Sequence, residues 1–173
     1  MKTLIVYYSG TGSNKALAED MAKRMNADIE GLGGGGTIEG MGIAVTAFKS
    51  FIGLGSGIGK LKYDPSGYDL VVLVSPVYAM GVPPQMNAYL SRFKGKIKKA
   101  AIASVSGSGN NPKAMAKMEK LAGGKAVAVL QLKGLEDKSG PKKGFQKLTA
   151  QDLGKPEYGE KIDAFVRAVQ KGL

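Results

Sequence analysis

The chain has 173 residues, 43% of them hydrophobic, which suits one α/β domain with a sizeable core. It contains no cysteine and no histidine, which excludes disulfides, Cys/His metal centres, thiol nucleophiles and every histidine-based triad or proton relay. With 25 Lys+Arg against 14 Asp+Glu the net charge is +11, and no apolar run reaches membrane-span length, so the expectation is a basic, cytoplasmic protein without a membrane span.

The first element is an apolar strand, Thr3 to Tyr8, running into a turn of hydroxyls and glycines, Ser9-Gly10-Thr11-Gly12-Ser13-Asn14, with a helical pattern from Lys15. Such a turn aims backbone N–H groups and the positive end of a helix dipole at one spot and predicts a phosphate cradle that needs no cation. Gly10 and Gly12 permit close backbone approach, while Ser9, Thr11, Ser13 and Asn14 offer hydrogen bonds. Gly10 and Gly12 are not followed by the third glycine of G-x-G-x-x-G, and there is no G-x-x-x-x-G-K-[ST] run, which disfavours a dinucleotide or ATP. The bland alternative is a βα turn in which Ser13 or Asn14 serves only as helix N-cap.

Residues 14–26 place Leu17, Ala18, Met21, Ala22 and Met25 at helical spacing, and Ala27 to Glu30 is the expected second strand. Residues 31–59 then carry 11 of the 26 glycines. This is read as part of a Gly-rich connection, 31–66, in preference to a mobile flap, with Ile43 to Ile52 able to form one short helix. Gly53 to Gly59 follows no strand and is rejected as a nucleotide loop. Strands are expected at 69–75, 100–105 and 126–132, and helices at 85–94 and 112–122. Ile162, Phe165, Val166 and Val169 stripe a closing helix, whereas Gly134 to Lys155 shows no apolar period and is expected to be an exposed connection, within a basic loop 133–157. Five strands alternating with helices predict one doubly wound parallel α/β domain over 1–173, with ligands outside the carboxyl ends of the strands.

Three loops carry a resemblance. Ser9-Gly10-Thr11-Gly12-Ser13-Asn14 is similar to the phosphate loop of the flavodoxin-like FMN-binding family. Tyr68 to Pro84, including Pro76-Val77-Tyr78-Ala79-Met80-Gly81, resembles that family's third strand and second flavin loop. Ser104 to Asn110, with Ser106-Gly107-Ser108-Gly109, sits where the family meets the flavin edge. The resemblance implies a three-layer sandwich with strand order 2-1-3-4-5. It implies FMN as cofactor, with Ser9–Asn14, Pro76–Gly81 and Ser106–Gly109 as its binding residues. Tyr78 is able to stack on the isoalloxazine ring, and the Met80-Gly81 peptide, by similarity, turns its carbonyl toward flavin N5 on reduction. No residue receives a catalytic role, since the flavin carries the chemistry, and no metal is implied.

Charge departs from the acidic family pattern. Residues 91–147 hold 14 basic and three acidic residues and so account for the whole excess, including the clusters Lys94, Lys96, Lys98, Lys99 and Lys138, Lys142, Lys143, Lys147. The resemblance implies electron transfer, for which this charge points to an acidic redox partner, or FMN-dependent reduction of a small acceptor such as a quinone, with NAD(P)H as a candidate donor. The alternative is a flavin-free binding module that turns its basic face to an acidic protein or nucleic acid. Arg92 is the only arginine in the segment and no aromatic side chain interleaves with its lysines before Phe145, which disfavours nucleic acid. Ser75, Ser104 and Ser106 lack a histidine or cysteine to activate them, which disfavours a hydrolase. Oligomeric state is not encoded in any spacing.

Overall fold

The apolar runs bounded by turn residues form a parallel sheet in the computed structural model, which describes residues 1–33, 58–77, 81–137 and 144–172. Its strands are β1 (Thr3–Tyr7), β2 (Asp28–Gly31), β3 (Leu70–Val74), β4 (Ala100–Ser106) and β5 (Val129–Lys133). All pairings are parallel and the order is β2-β1-β3-β4-β5, the order the resemblance implied. The connecting helices are α1 (Ser13–Met25), α2 (Pro84–Arg92), α3 (Pro112–Ala122), the single turn α4 (Ala150–Leu153) and α5 (Pro156–Lys171). Proline opens α2, α3 and α5, where its missing N–H would have had no helical partner.

Alternate strand residues point to opposite faces, and both faces are covered, which is why β1, β3 and β4 read as unbroken apolar runs. On one face Ile5, Val72, Val74, Ala101 and Ala103 pack with Leu17 and Met21 of α1 and with Ile162 and Phe165 of α5. On the other, Leu4, Val6, Val71, Leu73 and Ile102 pack with Met86, Tyr89 and Leu90 of α2 and with Met115 and Met118 of α3. The three layers thus follow from two apolar sheet faces and two pairs of amphipathic helices. The chain steps from β1 to β2 on one side and returns to place β3 on the other. That reversal opens a crevice beyond the carboxyl ends of β1 and β3.

The glycine-rich connection is fastened at both described ends. Leu32 is buried and donates its amide to the Tyr7 carbonyl at 2.7 Å, while the Glu30 carboxylate accepts from the amides of Lys62 at 2.7 Å and Tyr63 at 3.0 Å. The helix expected over Ile43 to Ile52, and the choice between flap and connection, fall on residues 34–57, outside the described residues.

The expectation of an exposed connection over Gly134 to Lys155 is corrected. This stretch holds an antiparallel pair, β6 (Leu135–Asp137) with β7 (Gly144–Gln146), followed by α4. Leu148 and Leu153 are fully buried in the α1/α5 core, and Leu135 packs against it. These leucines stand alone among polar residues and leave no periodic signal. The turn into α4 is held by a capping box, Thr149 with Asp152, in which the Thr149 amide donates to Asp152 Oδ2 at 3.0 Å. The Lys155 ammonium, and then the Thr149 amide and hydroxyl, hold the Asp152 carboxyl below its ordinary range. The box therefore stays charged, and its contribution intact, until pH falls below the usual carboxylate range. Among the described residues no helix is long and apolar enough to cross a membrane.

Candidate functional site

The crevice at the strand reversal is a cavity of about 550 Å³, within the size range of small-molecule sites. Gly10, Thr11, Ser13 and Asn14 from the first loop line it, with Pro76 and Val77 from the second and Ser106, Gly107 and Ser108 from the third. The topology therefore gathers three segments that lie far apart in sequence. Val105 and Asn110, in the third loop but not singled out as binding residues, also line the wall, as do Asn111 and Gly134, which had no place among the sequence candidates. The signals for them were an Asn-Asn-Pro step at the head of a helix and a glycine directly after β5. Of the predicted residues, Ser9, Gly12, Gly81 and Gly109 do not line the wall, and Tyr78, Ala79 and Met80 lie outside the described residues.

The first loop is built around Gly12, which caps α1 with φ +97°. Its left-handed backbone suits glycine. Ser9 Oγ accepts the Gly12 amide at 3.0 Å and so closes the turn. Ala16 makes the first helical bond, to the Gly12 carbonyl at 3.0 Å, which leaves the amides of Ser13, Asn14 and Lys15 ahead of the helical ladder. The first turn carries no acidic residue and no side-chain cap. The reading of Ser13 or Asn14 as N-cap is thereby corrected, because the cap is a glycine and both side chains are directed elsewhere.

Asn14 is buried and bridges α1 to the end of β4. Its Nδ2 donates to the Val105 carbonyl at 3.0 Å and its Oδ1 accepts the Val105 amide at 2.9 Å. Ser13 Oγ accepts the Leu148 amide at 3.0 Å. A hydroxyl both accepts and donates, so this bond leaves the Ser13 proton for a second partner.

In the second loop Ser75 is fully buried and donates to the Pro76 carbonyl at 3.1 Å, while Gly81 has φ +107°. Tyr8 lies just past β1 and Gln85 in the first turn of α2. Burial raises the Tyr8 phenol above its ordinary range, and the Gln85 side chain opposes that rise.

The third loop is pinned by its own bonds. The amides of Gly109 and Gly134 donate to the Ser106 carbonyl at 3.3 and 2.9 Å, and Asn111 caps α3 by accepting the Ala114 amide at 3.1 Å. Asn111 also donates its amide to Gln131 Oε1 at 2.6 Å. Ser106 Oγ is buried and has no hydrogen-bond partner among the described residues. A desolvated hydroxyl without a partner is costly, and this one belongs to the cavity wall. Among the described residues no charged side chain lines the cavity, so orientation there falls to amides, hydroxyls and the dipole of α1.

No protein-family model and no curated protein sequence matches the chain. Solved structures do. A flavoprotein in complex with FMN from Lactobacillus acidophilus NCFM is 27% identical with a TM-score of 0.56, over 74% of this chain and 91% of that one. A flavodoxin from Streptococcus pneumonia TIGR4 is 12% identical with a TM-score of 0.58, over the whole of both chains. Oxidised flavodoxin 2 from Bacillus cereus is 14% identical with a TM-score of 0.58, again over the whole of both.

Proposed function

We propose that this chain, which has the flavodoxin-like fold, binds FMN in the crevice and serves as a redox protein. It acts as an electron carrier or as an FMN-dependent reductase of a small acceptor, in one domain spanning 1–173 and in the cytoplasm. The observation that carries the proposal is the cavity at the reversal between β1 and β3, into which a helix start with no side-chain cap and no acid in its first turn opens. The FMN bound by the Lactobacillus acidophilus protein supports the choice of ligand.

The residues present fit that ligand. The amides ahead of the α1 ladder and the exposed Thr11 hydroxyl would hold the phosphate, and the unpartnered Ser106 hydroxyl would take up one polar group of the remainder. Pro76, Val77 and Val105 provide apolar wall, which excludes water from whatever lies against them. When bound, FMN supplies one- and two-electron redox chemistry, and the protein's part is to bind, orient and set the local field. The net charge of +11 favours an anionic reduced flavin and so a raised reduction potential relative to an acidic relative.

Flavin fluorescence during titration of the apoprotein tests the reading. Saturable one-to-one quenching is expected, and Thr11→Asp should weaken it about 30-fold, the effect of a like charge roughly 4 Å from a dianion in a water-like dielectric. Thr11 is exposed, so the thermal midpoint should stay where it is. A protein that leaves FMN fluorescence unchanged would overturn the reading and bring forward the basic segment 91–147 as a docking face.

Ser106→Ala separates a ligand role from a structural one. Removing a hydroxyl that has no partner should leave stability unchanged or raise it by up to about 1 kcal/mol. FMN affinity should fall about fivefold to tenfold, the loss of one hydrogen bond. Chemical denaturation and the fluorescence titration, run on the same preparation, read both numbers.

A further inference from the structure

The first loop is crossed by a cation from a distant part of the chain. Ser13 accepts the Leu148 amide, Leu148 is fully buried, and the capping box at Thr149 follows directly. These three bonds and contacts fix the backbone beside the first turn of α1, and Lys147 is the residue next to them. Its side chain lies across Gly12: a β-carbon at residue 12 would stand 2.6 Å from Lys147 Cε and 3.2 Å from Nζ. The absence of a side chain at Gly12 is what makes room for the lysine.

Other basic groups near the crevice are differently placed. Lys15, on α1 itself, faces along the helix to Glu19 at 3.8 Å, and Lys117 approaches the second loop at Gly81. Lys147 makes no ion pair among the described residues. It is exposed, so its ammonium reaches a ligand at little desolvation cost. Lys147 itself is not in the cavity wall, but Gly10, Thr11 and Ser13 on either side of Gly12 are, and among the described residues that wall has no acid and the buried Ser106 hydroxyl in it has no partner.

We propose that Lys147 is a cationic arm of the phosphate site, pairing with the phosphate of FMN and making the site discriminate phosphorylated from unphosphorylated flavin. The inference rests on the FMN reading above and goes beyond it, since the loop by itself predicts a cradle that works without a cation. The segment from β7 to α4 then has a role in the site: it carries the counter-charge to the mouth of α1.

The test is a titration of the apoprotein with FMN and with riboflavin, followed by fluorescence at about 50 mM and 500 mM salt, where screening lengths differ several-fold. Lys147→Met keeps the aliphatic reach over Gly12 and removes the charge. FMN affinity should fall about tenfold at low salt while riboflavin affinity stays the same, and the salt dependence of FMN binding should shrink. Lys147→Arg should recover most of the FMN affinity. Lys125→Met, in the exposed turn before β5 at the opposite end of the sheet, should change neither ligand. If the wild type binds FMN and Lys147→Met leaves the FMN-to-riboflavin ratio unchanged, the arm is wrong and the flavin reading stands. If the wild type binds neither flavin, both fall together. Equal losses for FMN and riboflavin in Lys147→Met, with a lowered thermal midpoint, would show a packing role and also overturn the arm.

Discussion

Asn14→Leu should lower the stability of the apoprotein by about 2–6 kcal/mol, read as a drop in the urea midpoint with an unchanged slope. The side chain makes two bonds to one residue, accepting the Val105 amide and donating to its carbonyl, and both sit in the interior. Leucine is close in volume and cannot make either. The loss is therefore of polar satisfaction and not of packing. Each backbone group left without a partner in the interior costs about 1–3 kcal/mol, and there are two. The change should also loosen the first and third loops together, because Asn14 is what joins them, and FMN affinity should fall beyond what the stability loss alone predicts.

Asn14→Asp sharpens the point through pH. The carboxylate still accepts the Val105 amide, but when ionised it faces the Val105 carbonyl with nothing to donate. When protonated, its O–H restores the second bond. Burial and that carbonyl both favour the neutral form, so the folded pKa lies above the unfolded one. The folded state then binds more protons between those two values, and stability relative to wild type falls as pH rises through that window and levels off above it. A deficit independent of pH would show that the two bonds to Val105 are not what Asn14 contributes.

The strands were legible because β1, β3 and β4 are buried on both faces, which forces unbroken apolar runs such as Leu70 to Val74 and places glycine- and serine-rich turns at their ends, while their order followed from the family resemblance. The three loops that meet at the cavity lie at those turns, though Asn111 and Gly134 of its wall were not among the candidates. What local pattern does not carry is partnership across the fold. Asn14 was legible as a hydrogen-bonding residue in a loop, but its partner lies 91 residues away and becomes adjacent only when β4 pairs with β3. Ser13 likewise bonds Leu148, 135 residues away. The strap from β6 to α4 was misread for the same reason. Leu135, Leu148 and Leu153 each find a separate place in the core, so no window of the sequence shows a period. Lys147 stood out only as one lysine of a basic cluster, and its position over Gly12 depends on that strap being anchored.

Gly109→Ala should distort the third loop, cost about 2–4 kcal/mol and weaken FMN binding at least tenfold. Gly109 has φ +65°, and a β-carbon there would lie 2.7 Å from Lys133 Cβ, 3.0 Å from its Cα and 3.1 Å from its amide nitrogen. A flexible side chain can move aside; the backbone of β5 cannot do so cheaply. Lys133 is paired in register with Ser106, its carbonyl accepts the Tyr158 hydroxyl at 3.1 Å, and the next amide, Gly134, donates to the Ser106 carbonyl at 2.9 Å. The loop must therefore give way, carrying Ser106 and Ser108 out of the cavity wall. Gly123→Ala is the matched control, because φ is +99° there as well but nothing lies within 4 Å of the added carbon. It should cost only the left-handed backbone term, about 1 kcal/mol, and leave FMN binding intact. The difference between the two alanines, in denaturation midpoint and in flavin affinity, measures how closely the third loop is pressed against β5. Equal effects from both would mean that the loop is free to shift and that its contact with Lys133 does not shape the site.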